Sequence, residues 1–326
     1  MDGFGGEEPP SPSSPADDTM SSLTAVASPA LYTLRLPAGR RLVLGGRTRV
    51  MGVLNVTPDS FSDGGRWLVP EAAVEHGLSM LDQGADLLDI GAESTRPGGG
   101  VYGAGADTVS VEQELRRLLP VLEGLRRQTR APLSVDTRKG SVARTALDHG
   151  ADLINDVSLL TDPDLGRAAA EADCPLILMH SRGELRSMQK QIRFRDVLAE
   201  VREELDQGRE RAASLGLDPA QVVLDPGIGF GKTYEQNLEL VAGLDVFREL
   251  GSPLLLGTSR KSFIGRFSAG EGLEPLPPSE RLPGSLATVA WAAAQGVEMV
   301  RVHDVAETVQ FLNMWSALRT ARGGTP

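Results

Sequence analysis

The sequence predicts an α/β protein of the (β/α)8 TIM-barrel class, with an N-terminal β-hairpin and a disordered N-terminal tail. Eight short apolar runs alternate with segments of helical periodicity, which indicates a parallel sheet whose faces are covered by helices. Three helix-to-strand junctions are near-copies of one another, as expected of a repeated unit. The repeats extend over about 270 residues, which suits a closed barrel of roughly 250 residues.

Residues 1–30 are predicted to be a disordered tail, because their acidic, Pro/Ser-rich start has too little apolar surface to fold. This start also differs from a signal peptide, which begins basic and continues apolar. Residues 31–47 alternate apolar and polar side chains on both sides of Pro37-Ala38-Gly39, which predicts a hairpin. We expect this hairpin to be a small lid that precedes the main barrel, within one domain of residues 31–321.

Each apolar run ends in polar residues. The first run, residues 50–56, is read as a buried strand that ends near Asn55, before the turn-forming Thr57-Pro58-Asp59-Ser60. The other seven runs occupy residues 86–94, 132–137, 152–158, 175–180, 221–227, 253–259 and 299–304. Short apolar strands of this kind suit the interior of a parallel sheet that is covered on both faces.

The copied junctions occupy residues 83–87, 149–153 and 295–299. Each places a glycine (Gly84, Gly150 or Gly296) just after a helix, where a left-handed φ is needed, and then begins a strand. An open doubly wound sheet is the alternative fold. Such a sheet normally has a phosphate-binding glycine turn after its first strand, and none follows here.

Composition disfavours several functional classes. The net charge of −11 argues against a nucleic-acid surface, which needs clustered Lys and Arg. No apolar run approaches the ~18 residues of a membrane span, so we expect no membrane contact and a cytoplasmic location. The single cysteine, Cys174, is read as a core thiol. With four histidines and no cysteine cluster a zinc site is not expected, and His76 and His149 are read as surface or satisfied positions.

The polar ends of the runs are expected to form one site, because all strand C-termini of such a barrel meet at one mouth. The residues delivered there are Asn55, Asp89 with Glu93, Asp136, Asn155 with Asp156, Met179 with His180, Asp225, Ser259-Arg260-Lys261, and Arg301 with His303. A single aspartate at a strand end is most often a structural cap. Polar groups at all eight ends indicate a ligand site instead.

The chemistry of these groups suits a flat heterocycle next to an anion. The carboxylate and amide groups of Asp136, Asn155 and Asp225 match the edge of a nitrogen heterocycle. Met179 and Phe230 can enclose a flat ring. Positive charge for an anion is supplied by Lys261, Arg96, Arg301 and His303.

The segment 227–233, GIGFGKT, resembles a phosphate-binding P-loop but lacks its spacing. That motif needs a glycine separated by four residues from Gly-Lys-Thr, and Pro226 occupies this position. We therefore reject a nucleotide phosphate site here and read Lys232 as a solvated loop charge.

Eight motifs are characteristic as a set: MGVLNVTPDSFSDGG (51–65), DIGAESTRPGG (89–99), SVDT (134–137), IND (154–156), LDPGIGFGKT (224–233), GTSRKSFIG (257–265), GSLAT (284–288) and RVHDV (301–305). Through them, residues 31–321 resemble the dihydropteroate synthase family of folate biosynthesis, the target of sulfonamides. Two small departures occur. Ala92 stands where the family usually has Gly, and Ser181-Arg182-Gly183 stands where Met-x-Gly is common.

The resemblance implies a barrel transferase that condenses 6-hydroxymethyl-7,8-dihydropterin diphosphate with p-aminobenzoate and releases diphosphate. It implies Mg²⁺ as the cofactor and a homodimer as the assembly. The loops 57–65 and 95–105 would close over the site and exclude water from a reactive pterin cation.

The resemblance also implies roles for individual residues. The pterin would be held by Asp136, Asn155, Met179, Asp225, Phe230, Gly257 and Lys261. The diphosphate would be held by Asn55, Thr95, Arg96, Arg301 and His303, with Asn55 as the ligand of Mg²⁺. p-Aminobenzoate would contact Phe61, Thr95, Arg96 and Ser262. Catalysis would depend on Asp136, Asp225, Lys261, Asp63 and Arg96.

Two alternatives stay open. A methyltetrahydrofolate–corrinoid methyltransferase would share the Asp/Asn/Asp grip on a pterin, but it has no use for the SRK and RVH cations or for the TPDSFSDGG loop. An inactive paralogue would bind pterin without turnover, and the intact loop motifs argue against it. Turnover with both substrates separates the three.

Overall fold

The computed structural model describes residues 31–57, 70–93, 109–183, 188–189 and 192–322. The predicted tail therefore lies outside the described residues, and so do four predicted site residues: Phe61, Asp63, Thr95 and Arg96. Nothing in the structure tests the predicted domain limits.

The chain opens with the predicted hairpin. Strand β1 (Tyr32–Leu36) pairs antiparallel with β2 (Arg40–Leu44), in a register that sets Tyr32 opposite Leu44. A three-residue turn, Pro37–Gly39, joins them, with positive φ values of 61° at Ala38 and 72° at Gly39.

Eight parallel strands follow, as the alternating pattern predicts. They are β3 (Arg49–Asn55), β4 (Leu87–Gly91), β5 (Leu133–Asp136), β6 (Leu153–Asp156), β7 (Leu176–Met179), β8 (Val222–Asp225), β9 (Leu255–Leu256) and β10 (Met299–Val302). Their hydrogen-bonded order is β8-β7-β6-β5-β4-β3-β10-β9. A parallel bridge between Leu224 and Leu254 brings β8 and β9 together, so the sheet closes into a barrel. The predicted barrel is confirmed, and the open doubly wound sheet is excluded.

Helices cover the outside of the barrel. They are α1 (Pro70–Asp82), α2 (Val111–Gln128), α3 (Gly140–Asp148), α4 (Pro163–Glu171), α5 (Val197–Ser214), α6 (Tyr234–Ala242), α7 (Asp245–Arg248), α8 (Ser262–Ser268), α9 (Leu282–Ala294) and α10 (Val305–Ala321). Within the described ranges, no helix has the length and apolar character needed to cross a membrane.

The hairpin closes the end of the barrel where the strands begin. Its four buried leucines, Leu34, Leu36, Leu42 and Leu44, pack against the first inward-facing residues of the strands. Those residues are Met51, Leu87, Leu153, Ile177, Val223, Leu255 and Met299. The hairpin is therefore a plug at the N-terminal end of the barrel, opposite the mouth. Its interpretation as a lid was wrong in this respect.

The three copied junctions share a hydrogen bond as well as a sequence. The junction glycines have the predicted positive φ values: 101° at Gly84, 103° at Gly150 and 74° at Gly296. The acidic residue two positions later accepts a backbone N–H from the start of a neighbouring strand. These bonds are Asp86 to Val50 N (2.9 Å), Asp152 to Leu133 N (3.0 Å) and Glu298 to Leu254 N (2.8 Å). At each of these three junctions, one carboxylate thus adds a hydrogen bond to the start of a neighbouring strand.

Candidate active site

Four residues lie side by side at the C-terminal ends of β3 to β6. The strand register pairs Asn55 with Gly91, Gly91 with Asp136, and Asp136 with Asn155. Gly91 leaves open the space between its neighbours, because a Cβ on it would lie 3.7 Å from both Asn55 Oδ1 and Asp136 Oδ2. The row joins a solvent-exposed amide, Asn55, to a buried carboxylate, Asp136.

Alternation along the strands decides which polar ends face the barrel axis, since successive side chains point to opposite faces. Asn155 and Met179 face inward, and the next residue in each strand faces the helices. Asp156 accepts from the backbone and hydroxyl of Ser158 at 2.9 and 2.6 Å. His180, which is fully buried, bonds to Glu204 of α5 at 2.9 Å. The expectation that Asp156 and His180 line the mouth was therefore wrong.

Arg301 links three strands at the centre of the site. Its Nε donates to Asp89 Oδ2 at 2.6 Å, and its Nη2 donates to Asp136 Oδ2 at 3.0 Å. Asn155 Nδ2 donates to the same oxygen of Asp89 at 2.9 Å. One buried carboxylate, Asp89, therefore fixes the orientation of both Arg301 and Asn155. The family resemblance gives Asp89 no ligand role, although Asp89 is the first residue of the motif 89–99 and one of the polar residues expected at the mouth.

Two carboxylate oxygens in this cluster have no partner among the described residues. Asp89 Oδ1 and Asp136 Oδ1 are both buried and accept no hydrogen bond. Burial raises the pKa of Asp136, and the positive charge of Arg301 opposes this shift. A buried acceptor without a donor costs free energy, about 1–3 kcal/mol. A ligand with N–H groups at this place would remove that cost.

Asp225 and Lys261 form the opposite side of the site. Burial raises the pKa of Asp225 and lowers that of Lys261 to about 8, and each group's charge opposes the shift of the other. Lys261 Nζ donates to Ile228 O and lies 5.0 Å from the ring centre of Phe230.

Gly257 lies at the junction of the two sides of the site. A Cβ on it would be 3.8 Å from Asp225 Oδ2, 3.8 Å from Arg301 Cβ and 4.0 Å from Lys261 Nζ. Glycine here keeps the space between these charged groups open. Met179 pairs with Asp225 in the sheet and is almost fully buried.

His303 follows β10 and is exposed at the mouth. Its backbone N–H donates to Ser259 Oγ at 3.1 Å, and its Nδ1 lies 3.0 Å from the same oxygen. In the tautomer in which Ser259 Oγ–H donates to Nδ1, the imidazole proton is on Nε2, which can then donate to an anion. Desolvation, then the charges of Arg301 and Arg260, lower the pKa of His303.

Three other residues expected at the mouth have different surroundings: one begins a helix, and two form ion pairs with other parts of the chain. Ser262 is the first residue of α8 and is nearly buried. Arg260 has a φ of 58°, and its guanidinium Nε donates to Asp304 Oδ2 at 2.9 Å. Glu93 is held behind the site, where it accepts from Val109 N at 3.0 Å and from Lys139 Nζ at 2.9 Å.

Lys232 is not a solvated loop charge. It is 3 % exposed, and its ammonium has three acceptors within 3.0 Å: His180 Nδ1, Gly227 O and Phe230 O. The interpretation of Lys232 as an exposed charge was wrong. Two of its partners are carbonyl groups of its own loop, and the third, His180, lies 52 positions away in the chain. His149 and His76 lie on the surface, and Cys174 is buried, as predicted.

The structure thus brings together most of the predicted site residues that it describes. They are Asn55, Asp136, Asn155, Met179, Asp225, Phe230, Gly257, Lys261, Ser262, Arg301 and His303. The ligand roles implied for them stay predictions.

This chain matches one family of known proteins over most of its length. The family described as "Pterin binding enzyme" matches residues 51–303. A dihydropteroate synthase of Synechocystis is 44% identical over 285 residues, which cover 87% of this chain and 94% of that protein.

Two solved structures show the same fold. The Xanthomonas albilineans dihydropteroate synthase with 4-aminobenzoic acid has a TM-score of 0.78 and 47% identity, covering 88% of this chain and 98% of that one. The Yersinia pestis dihydropteroate synthase with a sulfonamide drug complex has a TM-score of 0.79 and 40% identity, covering 88% and 99%. The chain therefore belongs to the pterin binding enzyme family, among the dihydropteroate synthases.

Proposed function

We propose that this protein condenses 6-hydroxymethyl-7,8-dihydropterin diphosphate with p-aminobenzoate to give 7,8-dihydropteroate and diphosphate. The observation that carries the proposal is the Arg301 cluster. There Asp136 has an unpartnered carboxylate oxygen and bonds to Arg301, and His303, two residues after Arg301, is exposed at the mouth. The mouth of the barrel thus contains hydrogen-bond acceptors for a heterocycle and, beside them, positive charge for a leaving anion.

The pterin ring would bind between the two sides of the site. Asp136 Oδ1 would accept from ring N–H groups, and Asp225 and Asn155 would contact the same heterocycle. Phe230 and Met179 would lie against its faces. Two carboxylates deep in the mouth would also stabilise positive charge on the pterin methylene as diphosphate leaves.

The diphosphate would lie above Arg301 and His303, nearer to solvent. Arg301 offers guanidinium N–H groups, and His303 offers an Nε2 proton when Ser259 Oγ–H donates to its Nδ1. An arriving anion would oppose the cations that lower the pKa of His303, so binding favours its protonation. The aniline nitrogen of the second substrate can attack the electron-poor methylene without a strong base.

Asn55 would be the protein's ligand for Mg²⁺. The described ranges contain no group of three or more His, Cys, Asp or Glu residues that could hold a metal. A single protein oxygen, such as that of the Asn55 amide, fits Mg²⁺, because this ion keeps several waters and takes one or two protein oxygens together with substrate phosphates. Asn55 is exposed at the mouth and supplies such an oxygen. When bound, the ion would neutralise charge on the departing diphosphate.

p-Aminobenzoate would bind near Ser262 at the start of α8. The other three residues expected to contact it, Phe61, Thr95 and Arg96, lie outside the described residues. Support comes from the Xanthomonas relative, whose structure holds 4-aminobenzoic acid, and from the Yersinia relative with its sulfonamide drug complex. Sulfonamides are accordingly expected to compete with p-aminobenzoate here.

A homodimer in the cytoplasm is the expected working form. Helices α9 and α10 pack against each other and expose large apolar side chains, with Trp291 38%, Met314 59% and Leu318 58% exposed. Such side chains gathered on neighbouring helices suit a surface shared by two copies. Light scattering of the wild type and of Leu318→Glu tests this, and a monomeric wild type would contradict it.

A methyltetrahydrofolate–corrinoid methyltransferase would use the same carboxylate grip, but the relatives of this chain are dihydropteroate synthases. The expected anion site at Arg301 and His303 argues against a methyltransferase, since methyl transfer releases no diphosphate. An inactive pterin-binding paralogue is the non-enzymatic alternative.

One assay separates the three functions. Purified protein is incubated with the pterin diphosphate, p-aminobenzoate and Mg²⁺, and dihydropteroate is measured by chromatography. We expect turnover that Arg301→Met abolishes. Pterin binding without product would instead indicate the inactive paralogue, and methyl transfer to a corrinoid would indicate the methyltransferase.

A further inference from the structure

The turn after β8 has an unusual set of hydrogen bonds. Four consecutive carbonyl groups, from Gly227 to Phe230, each accept from a side chain. Lys232 Nζ donates to Gly227 O at 2.9 Å and to Phe230 O at 3.0 Å. Lys261 donates to Ile228 O, and Gln189 Nε2 donates to Gly229 O at 2.7 Å. The shape of this turn therefore depends on donors outside its own backbone.

Lys232 must be an ammonium to make its three contacts. Glu204 is a carboxylate, with a pKa lowered to about 2, and its Oε2 lies 2.9 Å from His180 Nε2, so Nε2 carries the imidazole proton and Nδ1 is an acceptor. Lys232 Nζ lies 2.9 Å from this Nδ1, which is its third acceptor, and a neutral amine has only two N–H groups for three acceptors. A continuous chain thus runs from Glu204 on α5 through His180 to the turn.

The surroundings of Lys232 make its charge sensitive to pH. Burial lowers the pKa of Lys232 to about 7. The carboxylates of Asp225 on β8 and Glu204 on α5 raise this pKa, and the cations Lys261 and Arg182 lower it further. His180, which contacts the ammonium directly, is neutral because burial lowers its pKa to about 4.

This turn also positions residues of the candidate site. It carries Phe230, and its Gly227 N–H donates to Asp225 Oδ1 at 2.7 Å. Lys261, which lies by the ring of Phe230, donates to the carbonyl of Ile228. A shift of the turn would move all three groups that are expected to meet the pterin on this side.

We propose that Lys232 is a positioning residue, whose ammonium holds the turn 226–232 in the shape that presents Phe230, Asp225 and Lys261 to the pterin. His180 and Glu204 orient and support it. The inference rests on the proposed function for the identity of the ligand. It adds a residue that does not itself touch the substrate.

The first test is Lys232→Met, which removes the ammonium and keeps an unbranched side chain of similar length. We expect the Kd of 6-hydroxymethylpterin diphosphate, measured by calorimetry at about pH 6.5, to rise at least about tenfold, because two backbone carbonyls lose charged donors. The KM for p-aminobenzoate at saturating pterin should stay within about twofold, since that ligand is expected at the start of α8.

Thr233→Ala is the matched control. Thr233 is the next residue, and its hydroxyl accepts from Gln236 N at 3.2 Å to cap α6. Its loss should lower the Tm and leave the Kd of the pterin unchanged. If both variants lower the Tm but neither changes the pterin Kd, Lys232 is only structural and the inference is wrong.

The pH profile provides a second test in case Lys232→Met does not fold. In the wild type, the affinity for pterin should fall as pH rises past about 7, when Lys232 loses its third N–H. Glu204→Gln should move this fall to lower pH, because the charge of Glu204 raises the pKa of Lys232. An unchanged midpoint in Glu204→Gln would overturn the inference.

The wild-type arm distinguishes this inference from the proposed function. Pterin binding by the wild type without turnover would overturn the proposed function, and the variants would still decide the role of Lys232. Absence of pterin binding by the wild type would overturn both.

Discussion

Replacing Arg301 by methionine should destabilise the free protein strongly. Asp89 and Asp136 are almost fully buried, and Arg301 is the cation bonded to both. Removing one partner of a buried ion pair typically costs about 3–5 kcal/mol, because the other charge stays buried and unpaired. For a domain of about 290 residues each kcal/mol lowers the Tm by about 1.5–2 °C, so the expected loss is roughly 5 to 10 °C near pH 8.

The loss should be smaller in acid. Burial raises the pKa of Asp136 in the folded protein, and without Arg301, which opposes this shift, the pKa rises further. A carboxyl group with a raised folded pKa makes the folded state less stable as pH climbs from its unfolded pKa, about 4, towards the folded value. At about pH 5 the buried carboxyl of the variant is protonated at little cost. The gap in Tm to the wild type should therefore be narrower at pH 5 than at pH 8.

The assay is thermal unfolding followed by circular dichroism, without ligands, at both pH values. Arg260→Met is the matched control, because Arg260 also bonds to an aspartate, Asp304, but its side chain is 44 % exposed, against 22 % for Arg301. An ion pair that is more open to solvent contributes less, so this control should lower the Tm less than Arg301→Met does. If Arg301→Met loses no more than Arg260→Met, or loses the same amount at both pH values, the reasoning from buried charge is refuted.

Three further predictions follow from the site. Asp136→Asn should weaken pterin binding by about a hundredfold, because an amide places a donor where the ring N–H groups need an acceptor. If calorimetry gives the variant the affinity of the wild type, Asp136 does not contact the pterin. Gly227→Ala should lower the Tm by several degrees, since its Cβ would lie 1.8 Å from His180 O. The control is Gly39→Ala, which has a similar φ but open space around the new Cβ and should lower the stability by only about 1 kcal/mol. Equal losses of stability in the two variants would contradict the predicted clash. p-Aminobenzoate is predicted to bind only after pterin, diphosphate and Mg²⁺. The sequence predicts that loops 57–65 and 95–105 close over the site, and ordering a loop costs roughly 1 kcal/mol or more per residue. Equal affinity with and without these ligands, in titrations of labelled p-aminobenzoate, would exclude this order.

The barrel could be predicted because its signals are local and repeated. Apolar runs, helical periodicity and a glycine after the helix all act within a few residues, and each repeat restates them. Gly84, Gly150 and Gly296 have the expected positive φ for this reason. The polar strand ends were equally visible, since one mouth collects them whatever the details of packing.

The errors concern the direction and burial of single side chains. Asp156 and His180 follow inward-facing residues, so strict alternation along each strand would have placed both outside the barrel. Lys232 could not be placed from its neighbours, because its burial depends on His180, 52 positions away, and on Glu204 of α5, which bonds to His180. The plug was foreseeable, because the short link from Leu44 to Arg49 keeps the hairpin beside the beginning of β3.

The hairpin plug has a consequence for the order of assembly. It is the first described element to leave the ribosome, and its own hydrogen bonds are local. Its docking surface, however, includes Met51 and Met299, residues from the first and last strands of the barrel. We therefore expect the leucines of the hairpin to become fully buried only after β10 has joined the barrel. In a chain truncated after α9, we expect the hairpin amides to exchange rapidly with solvent; full protection there would show that the plug docks on an unfinished barrel.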